Sequence, residues 1–172
     1  MLCKVRIMPI KLKQNVLLII DMQPTNNGGY VGFKTAENPS TVRQCSILIR
    51  EAKENKDLIV ILEYRDEGPT HHCLKRSIGT YRRTVTILKN YNDGSKEFMI
   101  EMKARKVNIG HIKVCGVNIG ACVQQTVLPL VKKGYDISVI RKACNCSSTW
   151  KNPEAWRGYQ GADKNLVLVP AI

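Results

Sequence analysis

Aromatic side chains are scarce in this chain: two tryptophans, two phenylalanines and six tyrosines make up 6% of 172 residues. A platform for stacking nucleic-acid bases therefore has little to draw on. Long apolar runs are missing too. The longest, Val16 to Ile20 and Leu58 to Leu62, are five residues each, far short of the roughly 20 needed to cross a bilayer, so no membrane helix is expected. Near the start, Lys11 and Lys13 interrupt the apolar residues and Asp21 ends them. No signal-peptide core forms there, and a cytoplasmic protein is expected. Acidic residues are few, 14 against 27 Lys and Arg, which leaves a net charge of +13. The seven cysteines, Cys3, Cys45, Cys73, Cys115, Cys122, Cys144 and Cys146, are odd in number and form no CxxC pair. That pattern suits neither a disulfide framework nor a thiolate zinc site.

Hydrophobic residues make up 44% of the chain, enough at this length to fill one core, and residues 1–172 are expected to form a single domain. Short β-branched runs alternate with helical stretches. Strands are predicted at Asn15 to Ile20, Leu58 to Leu62, Thr84 to Leu88, Ile112 to Cys115, Ile137 to Ile140 and Leu166 to Val169. Helices are predicted from a Ser40 or Thr41 cap to Glu54, from Cys73 to Tyr81, from Ser95 to Lys106, and from Gly120 to Lys132 with a bend at Pro129. The segment Cys144 to Gln160 reads as irregular with a short helix. Strands that are apolar throughout point to a parallel sheet covered on both faces.

In open sheets of this kind ligands bind beyond the carboxyl ends of the strands. Asp21, Lys89 and Cys122 all fall there: an acid, a base and a thiol. Cys122 lies in Gly116-Val-Asn-Ile-Gly-Ala-Cys-Val near the start of a helix, where free N–H groups favour a thiolate. Asp21 as proton acceptor and Lys89 as its charged partner would complete the logic of covalent catalysis. Taken singly each residue has an ordinary explanation, as a core thiol, a loop starter and one base among 27.

Together, Leu17-Leu-Ile-Ile-Asp-Met-Gln, Leu88-Lys89 and Val114-Cys-Gly-Val-Asn-Ile-Gly-Ala-Cys-Val with Thr126 resemble the isochorismatase-like cysteine hydrolases. The likeness runs from about Asn15 to Ala143. It implies a three-layer αβα sandwich with a mostly parallel six-stranded sheet. It also implies Asp21 as general base, Lys89 as charged partner and Cys122 as nucleophile on an amide or related C–N bond of a small molecule, through a thioester and without a cofactor. In that family a cis peptide precedes the nucleophile turn. The matching bond joins Val117 to Asn118, with the N–H groups of Asn118 and Cys122 as oxyanion hole.

The nicotinamidase-type metal pattern, Asp-x-His-x-x-x-His, is departed from here. Glu63 and Arg65 stand where an Asp and a His belong, so no metal is expected, although Asp66, His71 and His72 lie in that loop. Gln23, Tyr64, Thr70 and His71 are the expected substrate contacts. By resemblance the protein is a homo-oligomer. The basic residues Arg82, Arg83, Lys103, Arg105, Lys106, Lys132 and Lys133 read as scattered at strand starts and helix ends, which disfavours a nucleic-acid partner. Trp150, Trp156 and Tyr159 read as packing for the C-terminal segment. Cys144 and Cys146 fit no redox mechanism with Cys122. Two rival readings stand beside the hydrolase: a catalytically idle copy of the fold that binds or assembles, and a basic nucleic-acid-associated protein.

Overall fold

The computed structural model describes residues 12–24, 38–146, 152–162 and 164–170. Most of the loop Gln23 to Asn38, as well as Cys3 and Trp150, lies outside the described residues. The chain runs β1 (Gln14–Ile20), α1 (Pro39–Glu54), β2 (Leu58–Tyr64), α2 (His72–Ile78), β3 (Thr84–Lys89), α3 (Ser95–Ala104), β4 (Ile109–Val117), a π-helical turn (Ile119–Val123), α4 (Gln124–Lys132), β5 (Ile137–Asn145), α5 (Asn152–Arg157) and β6 (Leu166–Val169). All six strands are parallel, in the order β3-β2-β1-β4-β5-β6.

The unbroken apolar character of β1 has a direct cause. Val16, Leu18 and Ile20 face one helical layer with Phe98 and Met102 of α3 and Val127 and Leu130 of α4. Leu17 and Ile19 face the other, against Val42, Cys45, Leu48 and Ile49 of α1 and Leu74 and Ile78 of α2. Successive side chains of a strand point to opposite faces, so a strand buried on both sides has no polar position to offer. Among the described residues no helix is long and apolar enough to cross a membrane.

Element ends shift where side-chain or backbone chemistry overrides periodicity. The cap of α1 is Asn38 rather than Ser40 or Thr41: its Oδ1 accepts from the N–H groups of Ser40 at 3.1 Å and Thr41 at 3.2 Å, satisfying donors that a helix start leaves free. His71 caps α2 through Nδ1, which accepts from Cys73 N–H at 3.2 Å. That helix stops at Ile78, not Tyr81, because Gly79 takes φ +58°. Strands β4 and β5 run longer than their apolar cores, since backbone pairing continues through Gly116 and Val117 against Cys144 and Asn145. The helix expected from Gly120 begins instead as a π turn, then continues through Pro129 to Lys132.

One glycine is dictated by the sheet. Gly116 sits opposite Ile20 in the β1–β4 register with φ +143°, and a Cβ there would stand 2.2 Å from the Ile20 carbonyl oxygen. The close approach of β1 and β4 draws the ends of the two strands together, and Asp21 and the turn that carries Cys122 follow directly.

Candidate active site

Asp21, the residue after β1, has φ +53°, a left-handed conformation that costs a non-glycine residue free energy and is held by its surroundings. Its N–H donates to the Leu62 carbonyl at 3.0 Å, which fixes the side chain between β1 and β2. Lys89 ends β3, and its Nζ lies 2.9 Å from Asp21 Oδ2, with both side chains fully buried. The ammonium also donates to the carbonyls of Tyr91 at 3.0 Å and Asn92 at 3.4 Å and stands 3.8 Å above the centre of the Tyr64 ring. Four partners thus hold one cation in place, and the ring face adds electrostatic attraction to the ion pair.

Cys122, 3% exposed, comes from the π turn. Asn118 opens that turn at φ 65°, ψ 58°, and its carbonyl accepts from Ala121 N–H at 2.9 Å and Val123 N–H at 3.2 Å. The Val117–Asn118 bond is trans, contrary to expectation; no cis peptide occurs among the described residues. The left-handed Asn118 supplies the chain reversal, a conformation that asparagine tolerates better than most residues.

Around the sulfur, Asn118 Nδ2 donates at 3.9 Å, and the thiol donates to Asn92 Oδ1 at 3.4 Å, with the Asp21 carboxylate near enough to act on it electrostatically. Asp21 Oδ1 is buried and has no hydrogen-bond partner among the described residues. Burial raises the Asp21 carboxyl above its ordinary value, the Lys89 ammonium and the Cys122 thiol pull it back, and Glu63 adds to the rise. Burial also drives the Cys122 thiol far above its ordinary value; the Asp21 charge adds to this and Lys89 opposes it. The expectation of a depressed, helix-stabilised thiolate is therefore overturned. Desolvation disfavours the charged form, and a sulfur four residues past the start of the turn gains too little from its N–H groups.

The expected substrate contacts divide. Gln23 is fully buried and its amide is spent on backbone: Oε1 accepts from Tyr64 N–H at 2.7 Å, and Nε2 donates to the Tyr64 and Gly68 carbonyls. It pins β1 to the loop after β2 and offers no free group to a ligand. Tyr64 shares the site directly, over Lys89 and through its hydroxyl, which donates to Asn92 Oδ1 at 2.8 Å. Thr70 is 2% exposed; its N–H donates to Glu63 Oε1 at 2.7 Å, and its hydroxyl finds no partner among the described residues. His71 spends Nδ1 on capping α2 and its N–H on the Met22 carbonyl.

One residue of the site, Asn92, escapes the sequence reading, and a second, Thr126, enters it only as part of a motif, with no role. Asn92 accepts from both Tyr64 and Cys122, yet it lies in an unpatterned loop, and only its distance of three residues from Lys89 hints at its place. Thr126 is fully buried. It accepts from Gly94 N–H at 3.0 Å and donates to the Asn92 carbonyl at 3.3 Å, which ties the Asn92 loop to α4. From the C-terminal side, Tyr159 donates to the Ile119 carbonyl at 2.8 Å, so the aromatics of that segment brace the turn that carries Cys122. Cys144 is a buried free thiol, raised by burial.

Among the described residues one group has metal-ligand character. His71, His72 and Cys73 bring three donor atoms within 4.8 Å of one another, and Cys73 Sγ already sits 3.3 Å from His72 Nε2. Asp66 does not join them.

A six-stranded parallel sheet with helices on both faces, with an acid, a base and a thiol at its carboxyl end, defines a Rossmann-like α/β fold class. Within it, the chain belongs to the isochorismatase family: the Isochorismatase domain matches residues 15–162. The Isochorismatase domain-containing protein 2 of Xenopus laevis is 27% identical over 142 residues, 79% of this chain and 62% of that protein, so the chain spans less than two thirds of that relative's length. In fold it is similar to the nicotinamidase of Staphylococcus aureus (TM-score 0.74, 16% identity, 94% of this chain and 100% of that one). It is also similar to the N-carbamoylsarcosine amidase of Thermoplasma acidophilum (TM-score 0.69, 15% identity, 91% and 95%).

Proposed function

We propose that this protein is a cysteine-dependent hydrolase of an amide or related C–N bond in a small molecule. The observation that carries this reading is the Asp21–Lys89 ion pair, 2.9 Å and fully buried, set against the Cys122 thiol. Family membership and the amidase folds it resembles support the reaction class.

Asp21 takes the thiol proton as Sγ attacks the carbonyl carbon. A thiol raised by burial makes this transfer concerted with attack rather than complete beforehand. The N–H groups of Asn118 and Cys122 receive the oxyanion, and such preorganised donors usually supply the largest share of acyl-transfer catalysis. Protonated Asp21 then gives its proton to the departing nitrogen, leaving a thioester on Cys122. Asp21 next deprotonates water for attack on that thioester, and the expelled sulfur recovers the proton. Lys89 keeps Asp21 ionised between turnovers and touches neither sulfur nor substrate in this scheme.

A second reading, a binding or assembly protein on an idle copy of the fold, draws on one observation: Asn92, held by the Tyr64 hydroxyl, contacts a thiol that is only 3% exposed. Acylation with p-nitrophenyl acetate separates the two. The hydrolase reading expects a burst of nitrophenolate and an acetyl group located on Cys122 by mass spectrometry, both lost in Cys122→Ala and Asp21→Asn, followed by ammonia release in a screen of small carboxamides. A protein that acylates no faster at Cys122 than at Cys73, even after Asn92→Gly, is the idle copy.

A further inference from the structure

The positive charge has no part in the reaction proposed above, and along the chain it looks scattered. Folding changes that. Parallel strands all begin at one edge of the sheet, and every strand of this sheet is preceded within four residues by an exposed base: Lys13 before β1, Lys56 before β2, Arg83 before β3, Lys106 before β4, Lys133 before β5 and Lys164 before β6. With neighbouring strands about 4.8 Å apart, six strand starts lay out a row of roughly 24 Å. The row runs along the pole opposite Asp21, Lys89 and Cys122.

Acids offset part of it among the described residues: the Asp57 carboxylate acts on Arg83, Glu101 pairs with Arg105 at 2.6 Å, Asp136 sits 3.0 Å from His111 and Glu54 is exposed, fewer than the bases along the same edge. Helix ends attract cations through the macrodipole, which accounts for Lys132 and Lys133 at the end of α4 and for Lys56 and Lys106 just past α1 and α3. It does not account for Lys13, which precedes a strand with no described helix before it, or for Arg83, five residues past the end of α2.

Near the middle of the row the surface opens into a cleft of about 270 Å³. Arg83, Arg105 and Lys106 line it with Gln14, Asn108 and the apolar Leu58, and no acid is among its lining residues. The Arg83 guanidinium donates to Gln14 Oε1 and Arg105 donates through Nε to Glu101, so both planes are held in place, with further N–H donors unspent among the described residues. Two oriented guanidiniums beside an ammonium suit the tetrahedral oxygens of a phosphate.

We infer that this pole binds the phosphate backbone of nucleic acid, without reading sequence. The scarcity of aromatics bars base stacking but places no limit on backbone contacts, and a row of single charges matches a chain of phosphates better than one small anion, which would fill the cleft and leave the row unused. This binding stands apart from the hydrolase site and does not depend on it.

The test is fluorescence anisotropy with a labelled mixed-sequence RNA duplex, the same RNA as a single strand, and a duplex of scrambled sequence, titrated with the full chain. Binding is expected at about 50 mM salt, equal for both duplex sequences, with a slope of log affinity on log salt of about −3 to −4 if four phosphates are neutralised. Arg83→Glu combined with Lys106→Glu should weaken binding at least tenfold by order of magnitude. Arg43→Glu with Lys96→Glu, the same charge change at the starts of α1 and α3, should cost no more than about threefold. The thermal melt of both pairs, followed by circular dichroism, should match the parent, which reports that the fold is intact. The inference is overturned by absent binding at low salt, by equal losses in the two pairs, by complete competition from inorganic tripolyphosphate at equal phosphate concentration, or by preference for phosphatidylserine vesicles over RNA in cosedimentation.

Discussion

Lys89 Nζ lies 2.9 Å from Asp21 Oδ2 with neither side chain exposed to solvent. An unpaired buried charge is far more costly than a buried pair. Lys89→Met should therefore lower stability by about 3–5 kcal/mol, while Asp21→Asn with Lys89→Met together should recover much of that loss. Urea titrations of the single and double variants measure the coupling directly. A double variant no more stable than Lys89→Met would show that the ammonium's contacts with Tyr64 and the loop carbonyls, rather than the ion pair, hold the site.

The Asp21 carboxyl is raised in the folded protein by burial, and the sign of its effect on stability follows. Between the ordinary value of 3.8 and the raised folded value, the native state binds more protons than the unfolded chain. The contribution of Asp21 is thus fully present below 3.8 and declines as pH rises through the folded value. Subtracting the stability profile of Asp21→Asn from that of the parent should leave a falling step in that window. Acylation of Cys122 should rise with pH across the same window, because the general base must be ionised.

At the β1–β4 junction, a methyl group on residue 116 meets the Ile20 carbonyl at 2.2 Å in a backbone conformation of φ +143°. Gly116→Ala should cost at least about 3 kcal/mol, from strain and the displacement of one strand. Because Asp21 follows Ile20 and Cys122 follows the same turn, Cys122 acylation should fall even in the fraction that remains folded, as mass spectrometry after limited proteolysis would record.

Thr126 holds the Asn92 loop from α4 by one accepted and one donated hydrogen bond. Thr126→Val keeps the shape and leaves the Gly94 N–H without its acceptor, a loss of about 1–3 kcal/mol. The carbonyls of Tyr91 and Asn92 that hold Lys89 should then drift. The acylation rate should drop more than stability does, and Thr126→Ser should restore it; equal behaviour of the Val and Ser variants would make Thr126 a packing residue alone.

The sheet was legible because its chemistry is repetitive. Five consecutive apolar residues in β1 and again in β2 require burial on both faces, and alternation with amphipathic stretches such as Val42, Cys45, Leu48 and Ile49 requires parallel crossovers. Asp21, Lys89 and Cys122 were legible as residues that follow strands, and the parallel arrangement brings them to one edge. Their protonation was not legible, since a thiol near a helix start reads as activated until its burial is known. Gln23 shows the same gap. A glutamine beyond a strand looks free for ligand, and only the neighbouring backbone of Tyr64 and Gly68 consumes its amide.

Local pattern thus specified which residues alternate between sheet and helix and which polar groups lie at the strand ends, because periodicity and termination are properties of the chain itself. Contacts between distant segments settled the rest. The trans turn at Asn118, the place of Asn92 over the thiol, the raised Asp21 and Cys122, and the alignment of scattered bases along one edge all depend on which surfaces meet and how much water they exclude. Desolvation and Coulomb forces act through space, so no spacing along the chain encodes them.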